Sequence, residues 1–300
     1  MRIVHELINI GKEVPRPVLT IGNFDGVHLG HQAIFQQVIQ WAQTTNGTSI
    51  VLTFHPHPMK FFRPSQPPLL ITTLEEKMCL LEKLGIQLVL SLNFTPELAR
   101  MDPEEFVGEV LWEKIRLRDL VVGHDFAFGR HRQGNIPYLQ KRGAELGFDV
   151  HTVDQIEIEG TIVSSSLVRR LIQEGEVERA ARFLGRPYSL GGEIQDIDKP
   201  YEGNGPLTLG FRPQKELLPS PGFYVVKATG EGQLAPDITC IGICRVLVGP
   251  EISLRLHFSN DLSQLEGRKA LRLAFLQRLC RSEECYTLLF NAKCKTQNAK

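Results

Sequence analysis

Between Pro17 and about Leu184 short β-branched runs alternate with segments of helical period, and after Tyr188 that alternation stops. This switch constrains the fold more than any single motif. Parallel strands need long crossovers, and helical crossovers cover both faces of a sheet, so the first stretch reads as βαβ units around a parallel sheet. Strands are expected at Val18 to Gly22, Ser49 to Phe54, Ile86 to Leu92, Leu120 to Gly123 and Asp149 to Val153. Leu74, Met78, Leu81 and Leu84 recur at helical spacing, as do Phe106, Val110 and Leu111, and a helix from Ile136 to Leu146 ends at Gly147. Beyond Tyr188, glycine and proline clusters such as Gly203-Asn-Gly-Pro206 and Pro219-Ser-Pro-Gly222 separate the runs Phe223 to Thr229, Ile238 to Val248 and Ile252 to Phe258. That texture predicts an antiparallel β domain. A helix from about Leu265 to Cys280, with Leu271, Phe275, Gln277 and Leu279 around its buried face, is expected to close it, and Asn291 to Lys300 reads as a polar tail. The expected division is an α/β domain at 1–185 followed by a small β domain at 186–300.

A chain of 300 residues suits two such domains. Lys plus Arg equals Asp plus Glu at 34 each, so no overall positive field exists to gather nucleic acid, and any bound anion needs a local site. No apolar run is long enough to span a bilayer, so a membrane partner is not expected either. The start, MRIVHELINIGKEVPRPV, lacks an apolar secretory core, and the six cysteines are sparse. A reducing cytoplasm is the expected compartment, or an organellar stroma had a leader been removed. Cys240 and Cys244 lie in the apolar run ITCIGICRVLV and read as buried strand residues rather than half a metal site.

Ligands of open α/β sheets bind beyond the carboxyl ends of the strands. There the sequence reads Val18-Leu-Thr-Ile-Gly-Asn-Phe-Asp-Gly-Val-His-Leu-Gly-His31, running into a helix through Ile34, Val38 and Trp41. A strand, a glycine-bearing turn and a helix N-terminus offer backbone N–H groups and a positive dipole end to a phosphate. Gly22, Gly26 and Gly30 allow close backbone approach. His28 and His31 stand on neighbouring positions of one helix face, where two imidazoles can hydrogen-bond an α-phosphate as charge develops on it. Capping histidines, or metal ligands together with His55 and His57, are the competing readings of the same residues.

These residues do not stand alone. Gly22-Asn-Phe-Asp-Gly-Val-His-Leu-Gly-His31 resembles the ATP-binding signature of the prokaryotic FAD synthetases, the bifunctional riboflavin kinase/FMN adenylyltransferases, which are His-x-Gly-His nucleotidyltransferases. Thr53-Phe-His-Pro-His-Pro58, Val121-Val-Gly-His-Asp-Phe-Ala-Phe-Gly129, Ser164-Ser-Ser-Leu-Val-Arg169 and Leu184-Gly-Arg-Pro-Tyr188 follow in that family's order. The resemblance implies a Rossmann-like nucleotidyltransferase domain followed by a riboflavin-kinase-type β-barrel, acting on ATP and FMN with Mg²⁺ to give FAD and pyrophosphate. It implies His28, His31 and Arg169 as catalytic residues, and Gly22, Asn23, Phe24, Asp25, Gly26, Gly30, Ser164, Ser165 and Ser166 as ATP-binding residues. By the same resemblance His57, Phe126 and Phe128 border the flavin and Asp125 is the candidate Mg²⁺ ligand, with Asp25 as its alternative. A helix cap for the three serines and core packing for the two phenylalanines are the structural alternatives.

In the second half the resemblance thins. The family's kinase domain carries an Arg-rich phosphate loop leading to Leu-Gly-Phe-Pro-Thr-Ala-Asn, whereas Gly203-Asn-Gly-Pro-Leu-Thr-Leu-Gly-Phe-Arg-Pro-Gln214 has neither the arginines nor the Thr-x-Asn pair. Its catalytic Glu sits in a strand of the type Glu-Val-His-Leu; here Ile252-Ser-Leu-Arg-Leu-His-Phe258 holds no acid, and Glu251 lies one residue outside. A riboflavin hydroxyl needs a base or metal-bound partner to attack ATP. The expectation is therefore FAD synthesis from FMN without riboflavin phosphorylation, against a bifunctional enzyme and, in another class, a non-catalytic flavin-binding or interaction protein.

Overall fold

A computed structural model of the chain describes residues 1–6, 10–198, 207–230, 239–247, 254–258 and 269–281. The chain divides into two compact units, one made of 1–68 and 72–164, the other of 69–71 and 165–300.

In the first unit the elements run β1 (Arg2–Val4), β2 (Pro17–Ile21), α1 (Leu29–Thr44), β3 (Thr48–Phe54), α2 (Pro58–Phe62), α3 (Leu74–Leu84), β4 (Leu88–Leu92) and α4 (Pro96–Arg100). Next come α5 (Pro103–Glu105), continued by a π-helix over Phe106–Lys114, then β5 (Asp119–Gly123), the short pair β6 (Ala127–Phe128) and β7 (Gly134–Asn135), α6 (Ile136–Leu146) and β8 (Asp149–Val153). A hairpin of β9 (Glu157–Ile158) and β10 (Thr161–Ile162) ends the unit.

The main sheet is six-stranded, ordered β1-β4-β3-β2-β5-β8, and every pairing in it is parallel. All five expected strands are present. The edge strand β1 has no counterpart among them; its three residues are too few to show a pattern. Leu19, Ile21, Ile50, Leu52, Leu120 and Val122 pack on one face against the π-helix and Leu139 of α6. Alternate residues of the same strands, Val18, Val51, Val89 and Val121, meet α1 and α3 on the other. The four central strands, β2 to β5, are buried on both sides, which is why they read as continuous apolar runs rather than alternating ones.

The order also locates the working end. From β2 the chain moves outward through β3 and β4 on one side and resumes with β5 and β8 on the other. The reversal leaves a crevice between the carboxyl ends of β2 and β5, where such sheets bind ligands.

The second unit begins with α7 (Ser165–Gln173) and α8 (Val177–Leu184) and continues into β11 (Tyr188–Asp198), β12 (Leu207–Pro213), β13 (Gly222–Gly230), β14 (Thr239–Val246), β15 (Leu254–Phe258) and β16 (Ala270–Cys280). These strands close a barrel in the order β11-β12-β15-β14-β13-β16 with antiparallel pairing throughout. The expected helix from Leu265 to Cys280 is corrected here: residues 270–280 form the strand that joins β11 to β13. Leu271, Leu273 and Phe275 are fully buried and alternate with half-buried neighbours, a period of two. Leu271 and Phe275 are also four apart, so the apolar set fits a helix as well, and closure of the barrel, which removes two exposed edges, decides for the strand. Cys240 and Cys244 lie on β14 as free thiols, Cys244 fully buried. The Gly203–Pro206 cluster, Glu251, residues 265–268 and the Asn291–Lys300 tail lie outside the described residues.

Phe275 sits between the rings of Tyr188 and Tyr224, both buried. Truncating it in Phe275→Ala should cost the second unit about 3–5 kcal/mol, read as a lowered urea midpoint, because neither tyrosine can close the cavity without losing its own hydroxyl partner.

Candidate active site

The loop after β2 leads directly into the crevice. Its backbone turns sharply: Phe24, Gly26 and Val27 all take left-handed conformations, at φ of 50°, 85° and 46°. For a β-branched valine this is a costly conformation, held only where the surroundings over-determine it. They do so here. The Phe24 and Val27 side chains are 4% and 1% exposed and belong to the core formed with Phe35, Met78 and Leu81. The Asp25 carboxylate accepts hydrogen bonds from the Thr72 N–H (3.1 Å) and hydroxyl (3.3 Å), while the Gly26 N–H donates to the Thr72 hydroxyl (3.0 Å). Thr53 at the end of β3 donates to the Asn23 carbonyl (3.2 Å), and the Lys77 ammonium of α3 donates to the same oxygen (2.7 Å).

α1 starts from this turn. His28 is its N-cap, with extended backbone, and its Nδ1 accepts the His31 N–H at 3.3 Å. An Nδ1 that accepts leaves the ring proton on Nε2. The capping role therefore sets the tautomer that can donate to an anion, and the two readings of His28 describe one residue. The His28 and His31 rings stack with centroids 3.5 Å apart, and His31 meets the Phe24 ring edge-on at 5.2 Å. Burial, then His28 and Lys77, hold the pKa of His31 well below that of an ordinary histidine, so it is neutral at pH 7. Two of the three glycines serve the rings as much as a ligand: a Cβ on Gly30 would lie 3.2 Å from His28 Nδ1, and one on Gly22 would lie 2.8 Å from the Phe24 ring.

The structure thus gathers Gly22, Asn23, Phe24, Asp25, Gly26, His28, Gly30 and His31 in one turn, but with divided roles. Phe24 and Asp25 are buried, so they shape the turn from behind, with Asp25 hydrogen-bonded to Thr72. Asp125 is exposed on the turn after β5, its Oδ1 3.6 Å from where a Cβ on Gly123 would sit. Among the described residues no group of three His, Cys, Asp or Glu side chains gathers to hold a metal, so His28, His31, His55 and His57 do not form such a centre. His57 caps α2, its Nδ1 accepting the Met59 N–H at 3.1 Å, and His55 is exposed. Phe126 and Phe128 share a face as their spacing predicts, stacked at 5.7 Å, yet Phe128 is only 9% exposed and also contacts Phe106 and Tyr138 in the core. Val163 brings the chain over the site: its carbonyl lies 3.6 Å from a Cβ built on Gly30, and Ser164 follows it. Ser165, Ser166 and Arg169 open α7 in the second unit, with Leu167, Val168, Leu171 and Ile172 buried along one side.

Three groups at this end of the sheet escaped the sequence reading. Thr72 and Lys77 are polar residues buried behind the turn, at 5% and 7% exposure. Lys77 falls within the spacing of Leu74, Met78 and Leu81, the one signal that points it inward. Phe61 and Phe62 on α2 are 45% and 56% exposed and gather around Phe94, just past β4.

A parallel sheet whose switch point carries a His-x-Gly-His helix start defines a nucleotidyltransferase-type domain. The FAD synthetase family model matches residues 11–167. The bifunctional riboflavin kinase/FMN adenylyltransferase of Escherichia coli (strain K12) is 30% identical over 296 residues, covering 98% of this chain and 94% of that protein. The protein of the same name from Pseudomonas fluorescens is 32% identical over 290 residues, covering 96% and 92%. The chain belongs to the FAD synthetase family. Among solved structures, a macrolide-efflux protein from Streptococcus pneumoniae superposes with a TM-score of 0.79 over 99% of this chain and 97% of that one; at 22% identity the likeness concerns the fold alone. Among the described residues no helix is long and apolar enough to cross a membrane.

Removing the Thr72 hydroxyl in Thr72→Val takes one buried hydrogen bond from the Asp25 carboxylate and one from the Gly26 N–H. Unfolding in urea should show a loss of about 1–3 kcal/mol, the scale of losing buried hydrogen bonds, one of them to a charged group.

Proposed function

We propose that this protein is an FMN adenylyltransferase that forms FAD, and that its barrel does not phosphorylate riboflavin. The observation that carries the first part is the His28–His31 pair at the N-terminus of α1, set at the switch point of the sheet. An oxygen of the FMN phosphate attacks the α-phosphorus of ATP, the bond to the bridging oxygen of the β-phosphate breaks, and pyrophosphate leaves. The attacking phosphate is already ionised near neutral pH, so no general base is required, and catalysis is a matter of position and charge stabilisation. His28 supplies an Nε2–H, the helix start supplies backbone N–H groups, and Ser164 to Arg169 supply hydroxyls and a guanidinium for the remaining phosphate oxygens. Mg²⁺ carried with ATP would supply charge neutralisation for the pyrophosphate and would need one or two protein carboxylates to hold it. The exposed Asp125, past the end of β5, suits that share. The flavin ring docks on aromatic surface at the same end of the sheet: Phe126 after β5, with His57 and the exposed Phe61 and Phe62 beyond β3.

The second part rests on β12 and β15. Along β15, Leu254 and Leu256 are buried, Arg255 pairs with Asp196, and His257 lies 3.1 Å from the Thr208 hydroxyl, so residues 254–258 offer no carboxylate. The bifunctional reading is favoured by relatives of that name that match nearly the full chain.

Purified protein supplied with Mg-ATP and either FMN or riboflavin decides between them. FAD from FMN, with nothing from riboflavin, is the expected result. FMN or FAD from riboflavin establishes the bifunctional enzyme, and no product from either leaves a binding protein. In the same assay His28→Ala and Arg169→Ala should each lower kcat about 10²-fold, the loss that follows removal of one preorganised donor to a developing charge; unchanged rates would remove that residue from the mechanism.

A further inference from the structure

The nucleotide turn is backed by a buried cation. Lys77 lies on the inner side of α3, 7% exposed, between Met78 and Leu81 of the core and the strand end at Thr53. Its Nζ is 2.7 Å from the Asn23 carbonyl oxygen and 3.4 Å from the Thr53 hydroxyl. In a trans peptide the C=O and the following N–H point to opposite sides. An Asn23 carbonyl drawn inward onto Lys77 therefore turns the Phe24 N–H outward. Phe24 then enters the left-handed region, plants its ring in the core and touches both His31 and Phe35, at 5.2 and 4.8 Å. The position of the Asn23 carbonyl is thus passed on to an outward N–H and to one of the two histidine rings.

The geometry points to Lys77 as the positioning residue of the nucleotide turn: its ammonium, gripping the Asn23 carbonyl from behind, aims the Asn23–Phe24 peptide and the His31 ring at the phosphates of the nucleotide. The assignment rests on the adenylyl-transfer reading for its substrate but not for its geometry. A charged grip is stronger than a neutral one, and the charge is conditional. Burial pushes the pKa of Lys77 down to about 8, with Asp25 opposing the shift, and Lys77 in turn helps to keep His31 neutral. Asp25, His28 and His31 are the titratable groups that face this arrangement from the turn and α1. ATP and FMN phosphates have finished ionising well below pH 8. Phosphate binding should therefore weaken as pH rises through about 8. Stability should move the other way. Between the depressed folded pKa and the ordinary value of 10.5 the unfolded chain binds more protons, so Lys77 contributes increasing stability as pH rises across that window.

The test is calorimetric binding of ATP to the full-length protein between pH 7 and 9.5, with FAD formation from FMN followed alongside. The wild type should lose roughly 10-fold in ATP affinity across that range. Lys77→Met, which keeps the apolar stem and deletes the ammonium, should bind ATP about 10- to 100-fold more weakly at pH 7, the scale of a hydrogen bond to a charged group, with a flat pH profile. A wild-type affinity that stays level to pH 9.5 overturns the assignment, as does a Lys77→Met variant that binds ATP like its parent. Should the variant fail to fold, the wild-type titration still decides. ATP binding with the stated pH dependence but no FAD would sink adenylyl transfer and leave Lys77 in place. FAD formation with a level titration would do the reverse.

Discussion

The structure at the working end depends on one constraint: the backbone between Gly22 and His28 must be held in a conformation it would not choose. Phe24 and Val27, both at positive φ, are strained at about 1 kcal/mol or more each, and Gly26 between them takes its positive φ without strain. What holds them is buried polar grip combined with packing. Lys77 and Thr53 fix the Asn23 carbonyl, Thr72 fixes Asp25 and Gly26, and the Phe24 and Val27 side chains fill the core under α1 and α3. Released from these, the turn would relax, and α1 would lose the direction of its first residues and the cap at His28. An anion site built from backbone N–H groups has no side chain to adjust, so its accuracy is that of the backbone, and rigid support is what such a site requires.

The same economy appears at His28. Capping and phosphate binding compete only if one nitrogen must serve both. Nδ1 caps the helix, and that bond places the proton on Nε2 and fixes the ring plane beside His31. Gly30 leaves that ring its room, since a Cβ there would lie 3.2 Å from the capping nitrogen. The spacing His-x-Gly-His thus follows from local sterics: one histidine caps, a glycine makes room for its ring, and the second histidine stacks on it one turn into the helix.

Much of the first unit was legible because its central strands are buried on both faces and its helices on one, so the pattern changes abruptly at each boundary. Capping chemistry sharpened this at Gly147, which ends α6 with φ of 85°. Legibility ended where one pattern served two structures or where charge ran against burial. Leu271, Leu273 and Phe275 satisfy period two, while Leu271 and Phe275 alone satisfy a helix; only the neighbouring strands, remote in sequence, resolve it. Lys77 reads as a solvated helix face unless its place among Leu74, Met78 and Leu81 is weighed above its charge. The spacing of Phe126 and Phe128 does not tell a binding aromatic from a core one; Phe128, on the short strand β6 five residues past β5, packs on Phe106 and Tyr138. Phe61 and Phe62, on a five-residue helix behind His57, have too little periodicity to show that they face solvent.

The two units differ in how function is tied to stability. In the first, the turn that would bind phosphate is also the N-terminus of α1 and part of the core, so a change that loosens the site loosens the fold. In the barrel, stability comes from inward residues such as Tyr188, Phe211, Tyr224, Leu256 and Phe275 and from closure of the sheet. A kinase step would instead draw on polar groups in the connecting loops and along outward strand positions, which the core does not need. Residues such as Arg255 and His257 occupy those outward positions on β15 with ion-pair and hydrogen-bond partners of their own, at no cost to the leucines between them. The closure of the barrel therefore does not depend on what those outward positions carry, whereas the His28 turn is held by the groups that shape it.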